Sequence, residues 1–485
     1  MLRKLLSLLL IVPMMPLLSQ AQQTTEYPSD HLSPAFHAGR RAAFRAEMPK
    51  NSVGIFFASQ VRVRNNDVDY VYAQSKNFYY LTGLEEPNSL LLIFKEPVTI
   101  LDKTGTEFIF VQKRNPSQEM WTGKILGVEG VTNAYKFDNV FTNDKFTANT
   151  LDLSKFDTVL TLFRTEQVMF KGRSRDELSR MANIVDSAIT TLKKPLARMS
   201  SGGQFGGGGR GQAAEINMAG TIMTKLRGVK QPEEIVLLEK VAAMSAEGHS
   251  ETMKAVKPGM TEFQAQAIME YAFKKNGSEF VGYPSINGSG ENACTLHYES
   301  NQRLMKDGDL LLSDCAAEYH GYSADVTRTI PVNGKFSPEQ KILYELVLEA
   351  QDSAFLQCKP GNNSNDPHRA AVRVITSGLK KLGIISTDQE VRTYFPHGTS
   401  HGLGLDVHDP NAAKLQMGSV FTVEPGIYIP SDSKCDKKWW GIGIRIEDDI
   451  LITEDGYKNL SAAAPRTVAD VEKMMKKKSI FDSQF

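Results

Sequence analysis

An apolar run at 5–18, preceded by Arg3 and Lys4, ends at Ser19-Gln20-Ala21. A basic start, an apolar stretch and small residues at its end are the layout of a secretory signal, with cleavage expected after Ala21. The run is shorter than the roughly 20 residues of a membrane span, and Pro13 and Pro16 interrupt it. From residue 32 to about 195, short apolar runs at 53–57, 90–94 and 108–111 alternate with stretches of helical period. That alternation predicts an α/β domain. Ser201-Gly-Gly-Gln-Phe-Gly-Gly-Gly-Gly-Arg-Gly211 is too rich in glycine to hold regular structure, so 196–213 is expected to be a linker or an exposed loop. Beyond it, Gln231-Pro-Glu-Glu opens a helix with proline near the first position and acids in the first turn. Ile235, Leu238, Ala242 and Ser245 trace one face of this helix, and Pro258-Gly259 stops it. A second domain is therefore expected over 214–475, with a polar, loosely held end.

Two stretches of this second domain pattern as hairpins. Asp309-Leu-Leu-Leu-Ser-Asp-Cys-Ala-Ala-Glu318 and Tyr322-Ser-Ala-Asp-Val-Thr-Arg-Thr-Ile330 are strand-like, with a tight turn at Tyr319-His-Gly321. Folded about a centre between Tyr319 and His320, Asp314 falls directly opposite Asp325, their Cβ atoms about 5 Å apart on one face. Two carboxylates so placed repel each other in a stretch that Leu310, Leu311 and Leu312 mark as buried. A cation between them removes the conflict. Val420-Phe-Thr-Val-Glu-Pro-Gly-Ile-Tyr-Ile429 and Gly441-Ile-Gly-Ile-Arg-Ile-Glu-Asp-Asp-Ile450 form a second such pair, joined by a polar loop. Here Glu424 falls opposite Glu447, in a register that the longer loop sets less tightly.

Between the hairpins runs Phe395-Pro-His-Gly-Thr-Ser-His-Gly-Leu-Gly-Leu-Asp-Val-His-Asp409, which places three of the nine histidines of the chain close together. Imidazole serves as metal ligand and as acid–base group. One histidine with four carboxylates is an oxygen-rich, hard donor set that favours Mn²⁺ or a similar ion. Four negative charges also balance two divalent cations, and such a pair can activate water and polarise a carbonyl for hydrolysis.

Composition narrows the field. The 485 residues exceed one ordinary core and suggest two or three domains; 41% hydrophobic and 23% charged residues are the profile of a globular enzyme. Lys and Arg number 56, as do Asp and Glu. This balance leaves no basic excess for phosphate neutralisation on nucleic acid or for polybasic membrane recruitment. Losing Arg3 and Lys4 with the signal lowers 56 basic residues to 54 and leaves a net charge of −2. Cys294, Cys315, Cys358 and Cys435 are too few and too irregularly spaced for a disulfide framework or a zinc cluster, and are read as buried free thiols.

Gly288-Ser-Gly-Glu-Asn-Ala-Cys-Thr-Leu-His-Tyr298, Ala324-Asp-Val-Thr-Arg-Thr329, His401-Gly-Leu-Gly-Leu-Asp-Val-His-Asp409, Val423-Glu-Pro-Gly-Ile-Tyr428 and Gly443-Ile-Arg-Ile-Glu-Asp-Asp449 together resemble the Xaa-Pro aminopeptidases (aminopeptidase P). Asn77-Phe-Tyr-Tyr-Leu-Thr-Gly-Leu-Glu-Glu-Pro87 resembles that family's N-terminal domain, so the likeness covers essentially the whole mature chain. The resemblance implies an α/β creatinase-like domain over 32–195 followed by an α+β pita-bread catalytic domain over 214–475. It implies a peptidase that cleaves an N-terminal residue from a following proline by attack of a metal-bridging hydroxide, and the signal pattern at 1–21, which is not a general feature of that family, adds the expectation of export to the periplasm or beyond. Two divalent ions are expected, Mn²⁺ first and Co²⁺ or Zn²⁺ as alternatives, held by Asp314, Asp325, His401, Glu424 and Glu447, with Asp325 and Glu447 bridging. Glu424 is the implied general acid/base, and His297 and His408 the histidines at the scissile peptide. His397 falls on the proline side. Arg445 shares strand parity with Glu447 and is expected to hold a ligand carboxylate; Tyr428 shares parity with Glu424 and is expected to line the pocket or the core. A homo-oligomer, dimer or tetramer, is implied as well. One departure is Asp314-Cys-Ala316, where the family commonly has Asp-Ala-Gly; strand alternation turns Cys315 away from the metals. The competing readings are prolidase, an X-Pro dipeptidase with the same ligands, and a non-catalytic binding module of the same fold.

Overall fold

Period-two alternation in the N-terminal strands sends successive side chains into two different cores. The chain is described by a computed structural model over residues 30–162, 177–192, 198–200 and 215–482; the signal at 1–21 and the glycine-rich 201–211 lie outside the described residues. Strands β1 (Ser52–Phe57), β2 (Leu90–Ile100), β3 (Lys103–Val111), β4 (Val140–Thr142) and β5 (Thr158–Thr161) form one sheet in the order β4-β3-β2-β1-β5. Its central pairs run antiparallel and its two edge pairs parallel. Val53, Ile55, Leu90, Leu92, Phe108 and Phe110 face a core closed by helix α3 (Glu177–Thr191). Phe56, Leu91, Ile93, Ile109 and Val111 face the other way, against α1 (Pro34–Glu47) and α2 (Lys76–Thr82). Gly54 lets α1 approach: a Cβ there would meet the Phe44 ring at 2.9 Å.

That second core does not end with the N-terminal part. It continues through α4 (Met218–Arg227) and α5 (Pro232–Ala255) into Tyr319, Tyr322, Leu403 and Leu405, so the elements beyond residue 214 pack directly on those before it. A two-stranded ladder pairs 198–200 with 215–217, through Arg198↔Asn217, Met199↔Ile216 and Ser200↔Glu215. Helix α5 begins where its proline and acids indicate, with Gln231 as N-cap and Glu234 closing a capping box. Glu234 is buried, however, and its carboxyl accepts from Tyr322 Oη at 2.9 Å, tying the helix to the first hairpin; burial lifts its pKa to about 7.

The C-terminal half is built on strands that break. Strands β6 (Ile286–Ser289), β7 (Leu310–Asp314) and β10 (Thr327–Pro331) form one sheet; β8 (Ala317–Tyr319) and β9 (Tyr322–Ser323) continue the β7–β10 hairpin beyond a gap. Likewise β11 (Val420–Val423) pairs with β14 (Asp448–Ile452), and β12 (Gly426–Ile429) with β13 (Ile442–Arg445). Helix α6 (Glu262–Lys275) and helix α7 (Pro338–Phe355) cover the largest core, together with Ile427, Ile444 and Ile450 from the second hairpin. Among the described residues no helix is long and apolar enough to cross a membrane.

Candidate active site

The turn of the first hairpin is centred one residue later than expected, which shifts the register by two residues. His320 and Gly321 both have positive φ, 49° and 83°, the two central positions of a type I′ turn. Tyr319 therefore pairs with Tyr322, and Asp314 with Thr327 in place of Asp325. Asp325 sits in the gap between β9 and β10, diagonal to Asp314 on the same face. The two still meet: Tyr283 Oη lies 2.6 Å from Asp314 Oδ1 and 2.7 Å from Asp325 Oδ1. The second hairpin has the expected register, with Val423 opposite Asp448 and Gly426 opposite Arg445, so Glu424 and Glu447 face each other across its break.

The two breaks cross. Glu447 N–H donates to the carbonyl of Thr327 (3.1 Å), and Asp325 N–H to the Asp449 carboxylate (3.2 Å). His401 comes from a third segment laid along β11, through Thr422 N–H to His401 O (3.0 Å) and Glu424 N–H to Thr399 O (2.8 Å). Its Nε2 lies 3.3 Å from Asp325 Oδ2 and 3.6 Å from Glu424 Oε1. Ligand atoms of Asp325, His401 and Glu447 lie within 4.8 Å of one another, and Asp314 and Glu424 border this group.

Electrostatics show what the cluster is suited to hold. Burial raises the pKa of Asp314, which Arg445 only partly offsets; it lifts Glu424 to about 7 and Glu447 well above the usual carboxylate range. His401 loses basicity to burial but regains more from Asp325 and Glu424, reaching about 9. Carboxylates compressed in this way must take up protons or cations. Four oxygen donors and one imidazole fit two hard divalent ions.

Around the cluster, Arg445 donates through Nη2 to Asp314 Oδ2 (2.5 Å), through Nε to Thr327 Oγ1 (3.1 Å) and through Nη1 to Tyr428 Oη (2.8 Å). Thr327 Oγ1 donates to Glu447 Oε2 at 2.7 Å. Tyr428 Oη lies 2.8 Å from His397 Nε2, while His397 Nδ1 donates to the Gly398 carbonyl at 2.7 Å. That tautomer leaves Nε2 to accept from Tyr428, and burial with the Arg445 charge pushes His397 down to about 3, so the ring is neutral. Tyr428 belongs to the site and is itself buried. His408 is exposed, its ring edge-on to His401 at 4.2 Å between centroids. His297, also exposed, follows the turn Gly290–Cys294 and is close enough to lower the pKa of both His397 and His408. Cys315 points away from the cluster, its Sγ toward the Ile286 carbonyl, and all four cysteines are free thiols; Cys294 and Cys435 are only partly buried.

Tyr283 and Thr327 escaped the sequence reading. Thr327 carries a signal, since it shares strand parity with Asp325 inside Ala324-Asp-Val-Thr-Arg-Thr329. Tyr283 carries none: it lies on an irregular stretch before β6, and a long-range contact alone brings it in.

Residues 37–160 match the family model "Aminopeptidase P, N-terminal domain", and residues 236–454 match "Metallopeptidase family M24". The Xaa-Pro aminopeptidase of Haemophilus influenzae is 34% identical over 449 residues, covering 90% of this chain and 96% of that protein. The chain belongs to metallopeptidase family M24, among the aminopeptidases P. Solved structures agree: the aminopeptidase PepP of Pseudomonas aeruginosa superimposes with a TM-score of 0.78 at 34% identity, over 92% of this chain and 98% of that one. The Zn-substituted aminopeptidase P of Escherichia coli, in complex with product, gives 0.78 at 32% identity over the same shares. The broken hairpins are thus those of the pita-bread fold, preceded by the N-terminal domain of an aminopeptidase P.

Proposed function

We propose that this chain is an Xaa-Pro aminopeptidase that releases the N-terminal residue of peptides with proline in second place. One observation carries the reading: four carboxylates and one imidazole from three segments converge where two hairpins break and cross. Asp314, Asp325, His401, Glu424 and Glu447 would hold two divalent ions, with Mn²⁺ favoured by the oxygen-rich set. Ions in this place supply Lewis acidity toward the scissile carbonyl and make a water acidic enough to attack near neutrality.

The chain's own residues do the rest. Glu424, with Oε1 3.6 Å from His401 Nε2 at the edge of the cluster, is placed to take a proton from the attacking water and deliver it to the departing proline nitrogen. Arg445 fixes Asp314 directly and Glu447 through Thr327, so both ligands keep one orientation. His408 and His297 would meet the carbonyl oxygen with an imidazole N–H as it gains charge, a reading supported by the His408 ring lying 4.2 Å from that of His401. Neutral His397, held by Tyr428, offers an uncharged wall to the proline ring.

Kinetics on X-Pro-Y tripeptides and on Gly-Pro, with Mn²⁺, Co²⁺ and Zn²⁺, test the assignment: cleavage of the longer peptides supports it. Exclusive hydrolysis of the dipeptide would make the chain a prolidase, and no activity with any ion would make it a binding module. Asp325→Ala and Glu447→Ala are each expected to abolish turnover. We also propose export to the periplasm or beyond after cleavage at Ala21, on the pattern of 1–21; the N-terminus of the mature protein, read by mass spectrometry, checks it. A homo-oligomer accords with Met120 and Trp121, which are 86% and 90% exposed on the helix Pro116–Thr122, and light scattering measures it.

A further inference from the structure

The loop between His401 and His408 closes on a buried ionic network that the proposed chemistry does not use. Asp409 is almost fully buried, and each of its carboxylate oxygens takes a different cation. Lys230 Nζ donates to Oδ2 at 2.8 Å, and Arg227 Nη2 donates to Oδ1 and to Asp406 Oδ2 (2.6 Å). Arg227 Nη1 reaches Asn77 Oδ1 at 2.8 Å, on the N-terminal helix α2. Lys230 is anchored by its own backbone, N–H to Gly418 O at 2.8 Å, just ahead of β11.

This network sets the shape of the loop. Asp409 N–H donates to Gly402 O (2.8 Å), and its Oδ1 accepts from Asp406 N–H (3.3 Å). Residues 402 and 409, one after His401 and one after His408, are thereby bridged. The glycines leave no slack: a Cβ at Gly402 would meet Asp409 O at 2.4 Å, and one at Gly404 would meet Asp409 Oδ2 at 2.6 Å. His408, the exposed neighbour of Asp409, ends with its ring 4.2 Å from that of His401.

We propose that Asp409, clamped by Arg227 and Lys230, is a positioning residue that sets His408 against His401, and so fixes where His408 meets the scissile peptide. Buried ion pairs are poor sources of stability, because desolvation offsets their attraction, but their fixed geometry can specify one conformation. That is the use such a loop needs. Lys230 and Arg227 stand between the N-terminal domain and α5, so the same clamp couples His408 to the placement of α2.

The kinetic consequence rests on the proposed role of His408; the positional one does not, and one experiment separates them. Asp409→Asn keeps the size and some hydrogen bonds but removes the charge that both cations need; Lys230→Met is the milder companion should the first fail to fold. With full-length Mn²⁺-loaded protein and an X-Pro-Y peptide, Asp409→Asn is expected to lower kcat/KM at least tenfold. Added to His408→Ala, it is expected to cost less than a further twofold. A crystal structure of Asp409→Asn, or of Lys230→Met, is expected to show the His408 ring displaced from His401 with the five metal ligands in place. Equal losses in the presence and absence of His408 would overturn the coupling, and an unmoved ring in both variants would overturn the clamp. Should His408→Ala alone leave kcat/KM unchanged while the ring moves, the clamp stands and the catalytic role given to His408 falls.

Discussion

Replacing Tyr283 with phenylalanine removes one oxygen atom from beside the metal cluster and leaves the ring that fills the same volume. The hydroxyl lies 2.6 Å from Asp314 Oδ1 and 2.7 Å from Asp325 Oδ1, so its one proton is shared between the inner oxygens of the two carboxylates. Their outer oxygens are thereby aimed at Arg445 and His401 respectively, at 2.5 and 3.3 Å. Burial, with Asp314 and Asp325 alongside, keeps the phenol well above its ordinary pKa, so it stays a donor at any working pH. Without it, two like charges are free to rotate apart. A hydrogen bond to an ionised group is worth about 1.5–3 kcal/mol, which is roughly a 10- to 100-fold change in an equilibrium constant. Loss of an outer partner of a metal ligand has costs in the same range.

The expected result is therefore a Mn²⁺ affinity lower by roughly 10- to 100-fold, read by titrating the apo protein calorimetrically. At saturating Mn²⁺ much of kcat should return, because Tyr283 orients ligands and touches no reacting atom. Affinity within twofold of the unaltered protein would refute the reasoning, since it would mean that the hydroxyl holds neither carboxylate. Loss of kcat that no concentration of Mn²⁺ restores would refute the second half, and would place Tyr283 in the chemistry itself.

Glu424→Gln removes a group that can carry a proton, and kcat is expected to fall by about 10²–10⁴; metal content measured alongside separates this from loss of an ion, and a fall under tenfold would exclude Glu424 as acid/base. His249 is buried, its Nε2 between the carbonyls of Cys315 (3.0 Å) and Val326 (2.9 Å), and burial lowers its pKa from 6.5 to about 4. Protons then bind the unfolded chain more tightly, so stability should fall as pH drops from 6.5 toward 4, by up to about 3 kcal/mol. Urea unfolding of the native chain and of His249→Gln measures it, and equal pH slopes would count against it. Gly402→Ala forces a Cβ onto two backbone oxygens, at 2.4 and 2.8 Å, and overpacking of this kind costs about 1–3 kcal/mol. A lower melting temperature and a lower kcat/KM are expected together, and an unchanged kcat/KM would show that the loop yields.

Local pattern reached far into this fold because its signals are local. Alternation in β1 to β3, the proline and acids of α5 and the acids on the hairpins each concern residues near in sequence. The long second hairpin kept its expected register because Ile and Val alternate on both flanks, from Val420 to Ile429 and from Ile442 to Ile450. The short first hairpin slipped by two residues because its turn is centred one residue further on: His320-Gly321, with glycine second, is the sequence that tolerates two positive φ values. Asp314 and Asp325 remained neighbours regardless, since a diagonal pair shares a face as a direct pair does. Glu234, read from the sequence only as a first-turn acid, is a buried partner of Tyr322, and nothing within α5 signals that.

The breaks in the hairpins were the least legible feature and the one the site depends on. Unbroken strands would leave each carboxylate in a regular ladder, facing its own partner. By stopping at Asp314, around Asp325 and at Glu424 and Glu447, the strands let two hairpins cross and give all four acids one focus. Each break orphans backbone carbonyls, and buried orphans are costly. Gln351, from the middle of α7, donates to the carbonyls of Val423 (3.1 Å) and Ile446 (3.2 Å). Fully buried Arg328 donates to those of Thr327 (2.9 Å) and Glu447 (2.5 Å) and pairs with Asp448 at 2.7 Å. A lone buried arginine would cost more than it repairs, and Asp448, itself bonded by Gln351 at 2.9 Å, supplies the counter-charge. The acids proposed to bind metal are thus visible in the sequence as an electrostatic conflict. The residues that permit the crossing are visible only where three distant segments meet.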